Sequence, residues 1–118
     1  MNVSKIFIGT VASFILGASA FAGAVNGPKF ADTRVNANST DRFTINFRAN
    51  ERAVVYVEGD GDTDLDLFIY DENGNLIAQD IDNTDSCIAA WTPKWSGSFI
   101  IRVKNRGNVY NRYNLRTN

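Results

Sequence analysis

Apolar and polar residues alternate with a period of two in short stretches along most of this chain, and turn residues separate the stretches. Phe43, Ile45 and Phe47 alternate with Thr44, Asn46 and Arg48, and Leu65, Leu67 and Ile69 share one face of Asp64–Tyr70. Cys87, Ala89 and Trp91 share one face of Ser86–Thr92, as Phe99, Ile101 and Val103 do within Gly97–Lys104. Side chains of a strand point to opposite faces in turn, so each set predicts a strand with one buried side. Ala53–Val57 reads as a β-branched strand, Leu76–Gln79 as a short return strand, and Val109–Leu115 as a closing strand with Tyr113 and Leu115 inward. Asn73-Gly74 sits between two of these strands and predicts a hairpin, because both residues tolerate positive φ. No segment after the first twenty-two residues has helical periodicity. About seven short strands, spaced by roughly 8–12 residues, predict an all-β fold: an antiparallel, jelly-roll-like β-sandwich.

The first residues read as an address. Met1–Lys5 carries one positive charge, Ile6–Gly17 is an uncharged apolar run, and Ala18–Ala22 supplies small residues for cleavage after Ala22 or, as an alternative, after Ala20. That is the pattern of a secretory signal peptide over residues 1–22. The apolar run is shorter than the roughly 20 residues a membrane helix needs, so no membrane span is expected after cleavage. The expected location is secreted, or periplasmic. Residues 23–40 read as a polar leader with a short edge strand around Lys29–Val35, and residues 41–118 as the sandwich domain.

Composition then removes whole classes of function. With 118 residues the chain holds one small domain. It has no histidine and one cysteine, which excludes Ser-His and Cys-His nucleophiles, an intrachain disulfide and multi-cysteine metal sites. A net charge of -1 argues against a nucleic-acid partner. The domain reads as non-enzymatic.

Gly59-Asp60-Gly61-Asp62-Thr63-Asp64-Leu65-Asp66-Leu67-Phe68-Ile69-Tyr70-Asp71, followed by Asn73-Gly74-Asn75, resembles the core of the bacterial pre-peptidase C-terminal domain. Trp91-Thr92-Pro93 with Gly97–Val103, and the closing Tyr113-Asn114-Leu115, are similar to two further segments of that family. The resemblance covers residues 41–118. It implies a compact sandwich that accompanies exported enzymes as an accessory module in secretion, adhesion or localisation, and some such members bind calcium. No catalytic domain precedes the module here, so an accessory role in cis does not apply.

Three features are candidates for chemistry. Asp60, Asp62 and Asp64 recur at every second residue, and Asp80 and Asp82 follow in the next acidic loop. Oxygen ligands at this density suit Ca²⁺, which takes 6–8 of them. Leu65 stands where an EF-hand needs glycine, so any site belongs to a sandwich loop, and the alternative is a solvated loop of turn-capping aspartates. Trp95 is the surface aromatic best placed for a ligand, whereas Trp91, Tyr110 and Tyr113 are expected to pack against the sheet. Cys87 points inward and reads as a buried thiol. The expectation is a secreted β-sandwich binding or adhesion module for an extracellular protein or polysaccharide. The alternative is a small effector or inhibitor that engages a protease or other exported enzyme in trans.

Overall fold

The computed structural model describes residues 23–118 and the backbone of residues 2–4. Apart from the backbone of Asn2–Ser4, the expected signal peptide and its cleavage point therefore lie outside the described residues. The strands are β1 (Asn2–Ser4), β2 (Phe30–Val35), β3 (Thr40–Phe47), β4 (Ala53–Glu58), β5 (Leu65–Tyr70), β6 (Leu76–Asp80), β7 (Ser86–Trp91), β8 (Gly97–Asn105) and β9 (Asn111–Thr117). One sheet has the order β1-β3-β8-β5-β6 and the other β2-β9-β4-β7. Every pairing is antiparallel except that of β1 with β3. From β2 to β9 each connection carries the chain to the opposite sheet, save the β5–β6 hairpin. That strand order is a jelly roll.

The core forms from the inward residues of both sheets. Phe43, Ile45, Phe47, Leu65, Leu67, Ile69, Phe99, Ile101 and Val103 are buried on the first sheet, and Val55, Val57, Cys87, Ala89, Trp91, Tyr113 and Leu115 on the second. Phe47, Trp91 and Phe99 form an edge-to-face cluster at one end, with centroid separations of 4.9, 5.9 and 5.5 Å. Two polar groups also cross the interior. Asp41 is inward on β3, and its Oδ2 accepts the Tyr113 hydroxyl proton at 2.6 Å. Burial first, then the Asp41 charge, pushes the Tyr113 pKa upward.

The edge strand expected around Lys29–Val35 is present as β2, and it pairs with β9 along its whole length. Some details differ from the sequence reading. The closing strand begins at Asn111, so Tyr110 lies outside it, 51% exposed, with the Arg34 guanidinium 4.9 Å above its ring. Tyr110 was expected to pack against the sheet, and its contact there is with Arg34 of β2. In the β5–β6 turn only Gly74 is left-handed, with φ 85°, and its N–H donates to Asp71 O at 3.1 Å. Asp71 holds the turn by accepting the backbone N–H groups of Asn73 and Asn75, each at 2.9 Å. Those hydrogen bonds, Asn75 first, lower the Asp71 pKa. A bulge at Ile77 then leaves both Leu76 and Ile77 exposed.

Cys87 is buried as expected, and its thiol donates to Leu65 O at 3.2 Å. Burial, aided by Asp80 and Asp82, raises its pKa to about 12. A thiol held neutral is a poor nucleophile, so the folded protein is expected to resist a maleimide or disulfide reagent and to react at once in denaturant. The sign of the pH dependence follows from a raised folded pKa. The stability tied to the protonated thiol is complete below about pH 8.5, where the unfolded thiol titrates, and is lost as pH rises beyond it. Fast labelling of the native protein at pH 7 would show that Cys87 is reachable.

Candidate functional site

Residues facing out of the first sheet form an ordered grid because β3, β8 and β5 lie side by side. One row across the sheet is Thr40, Lys104 and Asp66; the next is Arg42, Arg102, Phe68 and Gln79; the third is Thr44, Ile100, Tyr70 and Leu76. Thr40, Phe68, Tyr70, Arg102 and Lys104 line an open groove of about 220 Å³ on this face. Phe68 and Tyr70 are two residues apart on β5, so both project outward and stack, with centroids 6.4 Å apart and planes at 28°. The Arg102 guanidinium lies over the Tyr70 ring, 4.9 Å from its centroid. That placement stiffens the half-buried arginine by a cation–π contact.

Among the described residues the cations of this face have no ion-pair partner. Arg42 and Arg102 are direct cross-strand partners. None of Arg42, Arg102 and Lys104 makes an ion pair with a described acidic residue. Asp66 is the acid nearest in register, but its Oδ2 is held by Arg106 at 3.1 Å. The Arg42 Nε is buried with no hydrogen-bond partner.

The acidic loops lie at the ends of β4, β5, β6 and β7. Asp60 accepts the backbone N–H of Asp62 at 3.0 Å through Oδ1 and that of Arg112 at 2.8 Å through Oδ2. These bonds, Arg112 first, lower its pKa. Asp80 accepts from Ile88 N at 3.0 Å, and Asp82 from the N–H and hydroxyl of Thr84 at 3.0 and 2.9 Å. Asp62 is exposed, while Asp64 is half-buried with an unpartnered Oδ1 and a pKa raised first by burial and then by Asp66. Among the described residues no group of three or more acidic or cysteine side chains is placed to hold a metal ion. Of the five aspartates singled out in the sequence, Asp60, Asp80 and Asp82 accept backbone N–H groups, while Asp62 and the Asp64 Oδ1 stay uncommitted. The melting temperature in millimolar Ca²⁺ is expected to match that in EDTA. A calcium-dependent rise of several degrees, lost in Asp64→Asn, would restore the calcium reading and place the ion on the uncommitted oxygens.

Trp95 stands in the β7–β8 connection, 40% exposed, and its indole N–H donates to Glu72 Oε1 at 3.0 Å. Gly97 leaves room for that contact: a Cβ there would come within 2.9 Å of Glu72 Oε1. The tryptophan fastens this connection to the β5–β6 turn and is not among the groove-lining residues. The sequence reading missed Phe68, Tyr70, Arg102 and Lys104. Its signal was there in part, since two aromatics occupy the outward positions of a strand whose inward face is aliphatic.

No protein-family model matches this chain, and no curated protein matches it by sequence. Solved structures match its fold. The Aeromonas hydrophila PliG structure, a periplasmic inhibitor of g-type lysozyme, aligns with a TM-score of 0.59 at 12% identity over 98% of this chain and 93% of that one. The pre-peptidase C-terminal domain of Bacillus anthracis collagenase aligns with a TM-score of 0.57 at 16% identity over 79% and 89%. The Salmonella Typhimurium PliG structure aligns with a TM-score of 0.52 at 12% identity over 98% and 95%. The chain has the fold of the pre-peptidase C-terminal domain.

Proposed function

We propose that this protein is an exported, non-enzymatic binding module whose ligand lies on the outer face of the first sheet. The observation that carries the reading is the groove, where two half-buried stacked aromatics and an arginine over one of them lie beside cations with no ion pair among the described residues. Exposed aromatic and arginine side chains that are already ordered lose little entropy on binding, which is why such groups dominate recognition surfaces. The sequence holds no histidine, the commonest general base, which agrees with binding without turnover. The partner class is an extracellular glycan or protein.

The test is a double variant, Phe68→Ala with Tyr70→Ala. Both residues are half-exposed on the outer face, so the variant is expected to keep the fold. In a screen of extracellular glycans and secreted proteins it should lose whatever partner the wild type holds. A partner retained at full affinity by the folded double variant would sink the reading.

A second reading is an inhibitor that engages an exported enzyme in trans. What favours it is the fold likeness to the lysozyme inhibitors over nearly the whole chain. Titrating g-type lysozyme with the protein tests it directly. Stoichiometric loss of lysozyme activity would put this reading first.

A further inference from the structure

We infer that the ligand of this face is an acidic polysaccharide, with sugar rings lying on Phe68 and Tyr70 and its acid groups over Arg102, Arg42 and Lys104. The inference rests on the binding reading above and names the ligand class it left open.

Charge is the first argument. Arg42 and Arg102 face each other directly across β3 and β8. Like charges so placed repel, and no described acidic side chain neutralises them. Asp66, beside Lys104 in register, is already paired with Arg106. A ligand that brings anions to this row removes the repulsion. Guanidinium groups match carboxylates in a bidentate manner, which favours an acid group over a hydroxyl.

The aromatics supply the second argument. The Phe68 side chain has no hydrogen-bonding atom, and the Tyr70 ring lies beside it, with centroids 6.4 Å apart. Their flat faces suit a ligand with an apolar face of its own, which a sugar ring has and an extended acidic peptide lacks. The third argument is shape. At about 220 Å³ the groove falls below the roughly 300–1,000 Å³ of clefts that engulf small molecules. It is open and crosses three neighbouring strands, which suits a chain laid across the sheet.

Overall charge limits the anion. The protein carries -1 in total, with aspartates concentrated in the loops at residues 60–66 and 80–85. A dense polyanion such as a nucleic acid meets those loops as well as the groove and is repelled by them. A glycan with one acid per sugar can keep its charges over the three cations.

The experiment is affinity electrophoresis and calorimetry with polygalacturonate and alginate, against neutral dextran, polyglutamate and a single-stranded oligonucleotide. The wild type is expected to bind one of the two uronate polymers best, more weakly as salt rises. Arg102→Gln and Tyr70→Ala should each weaken that binding about tenfold, a typical loss for one charge-assisted or cation–π contact. Arg34→Gln, which removes the same charge from the other sheet, should leave it unchanged, and thermal melts confirm that every variant is folded. Dextran bound equally well and lost in Tyr70→Ala would overturn the acidic ligand and keep the binding face. Polyglutamate or the oligonucleotide bound as tightly as the uronates would overturn the polysaccharide assignment. No binding to either uronate polymer also overturns it. Uronate binding that both groove variants retain would sink this inference and the binding face together.

Discussion

Phe99→Ala is expected to destabilise the protein by about 3–5 kcal/mol, the usual loss for a fully buried aromatic truncated to a methyl group. Phe99 is 2% exposed and touches both other members of the aromatic cluster, Phe47 on the neighbouring strand and Trp91 on the opposite sheet. Removing it takes away burial on two sides and leaves a cavity between the sheets that neither ring can fill without leaving its own packing. In a domain of this size each kcal/mol lowers the melting temperature by roughly 4–8 °C, so the shift should be on the order of 20 °C. Phe99→Leu keeps most of the volume and should lose about half as much or less. Chemical denaturation of the three proteins gives the series. If Phe99→Ala melts within a few degrees of wild type, the two sheets are not locked through this cluster.

That cluster was legible before any coordinates, and the reason is local. Period-two alternation assigns a face from a few consecutive residues, so Phe47, Phe99 and Trp91 could each be placed inward from their own strands. Asp41 was not, because a carboxylate at the start of β3 reads as turn or solvent until Tyr113, seventy-two positions away, is seen to donate to it. Strand β2 was half visible: an edge strand near residues 29–35 was expected, but pairing with the far carboxyl-terminal strand is a property of topology.

The groove was least legible of all. Arg42, Arg102 and Phe68 make one row only because the jelly roll sets β3, β8 and β5 side by side. No stretch of sequence contains that row. The acidic loops, in contrast, stand out in sequence because their aspartates are close along the chain. In the fold most of them answer a local need, satisfying backbone N–H groups where turns leave them unpaired. Trp95 was conspicuous for its exposure, and it is exposed, yet its indole is engaged with Glu72 outside the groove.

Asn105→Asp should be more damaging than Asn105→Ala, although it exchanges a single amide nitrogen for oxygen. Asn105 ends β8, next to Lys104 of the groove, and is fully buried. Its Nδ2 donates to the carbonyls of Val35, Asn36 and Val109 at 3.3, 3.2 and 2.8 Å, and its Oδ1 accepts Gly107 N–H at 2.9 Å. One side chain thus satisfies backbone groups from the β2–β3 corner and from the β8–β9 turn. Alanine removes the side-chain donor from all three, although Asn36 O keeps the Ser39 N–H at 3.2 Å, and the loss is about 3 kcal/mol if it follows the usual 1–3 kcal/mol per orphaned buried group. Aspartate does worse at neutral pH, because it aims a negative oxygen at three carbonyl oxygens at a fully buried position. The charged form is disfavoured there, so the introduced carboxyl should titrate well above the ordinary aspartate value of about 3.9. Its penalty is present at neutral pH and shrinks as pH falls and the carboxyl takes up a proton, which restores one donor. Denaturation midpoints of the three proteins at pH 7 and pH 4.5 separate the cases. The expected order at pH 7 is wild type, alanine, then aspartate, with the gap between the two variants narrowing at pH 4.5. An aspartate variant as stable as wild type at pH 7 would mean that the three carbonyls draw their hydrogen bonds from water, and that Asn105 does not brace the end of the groove.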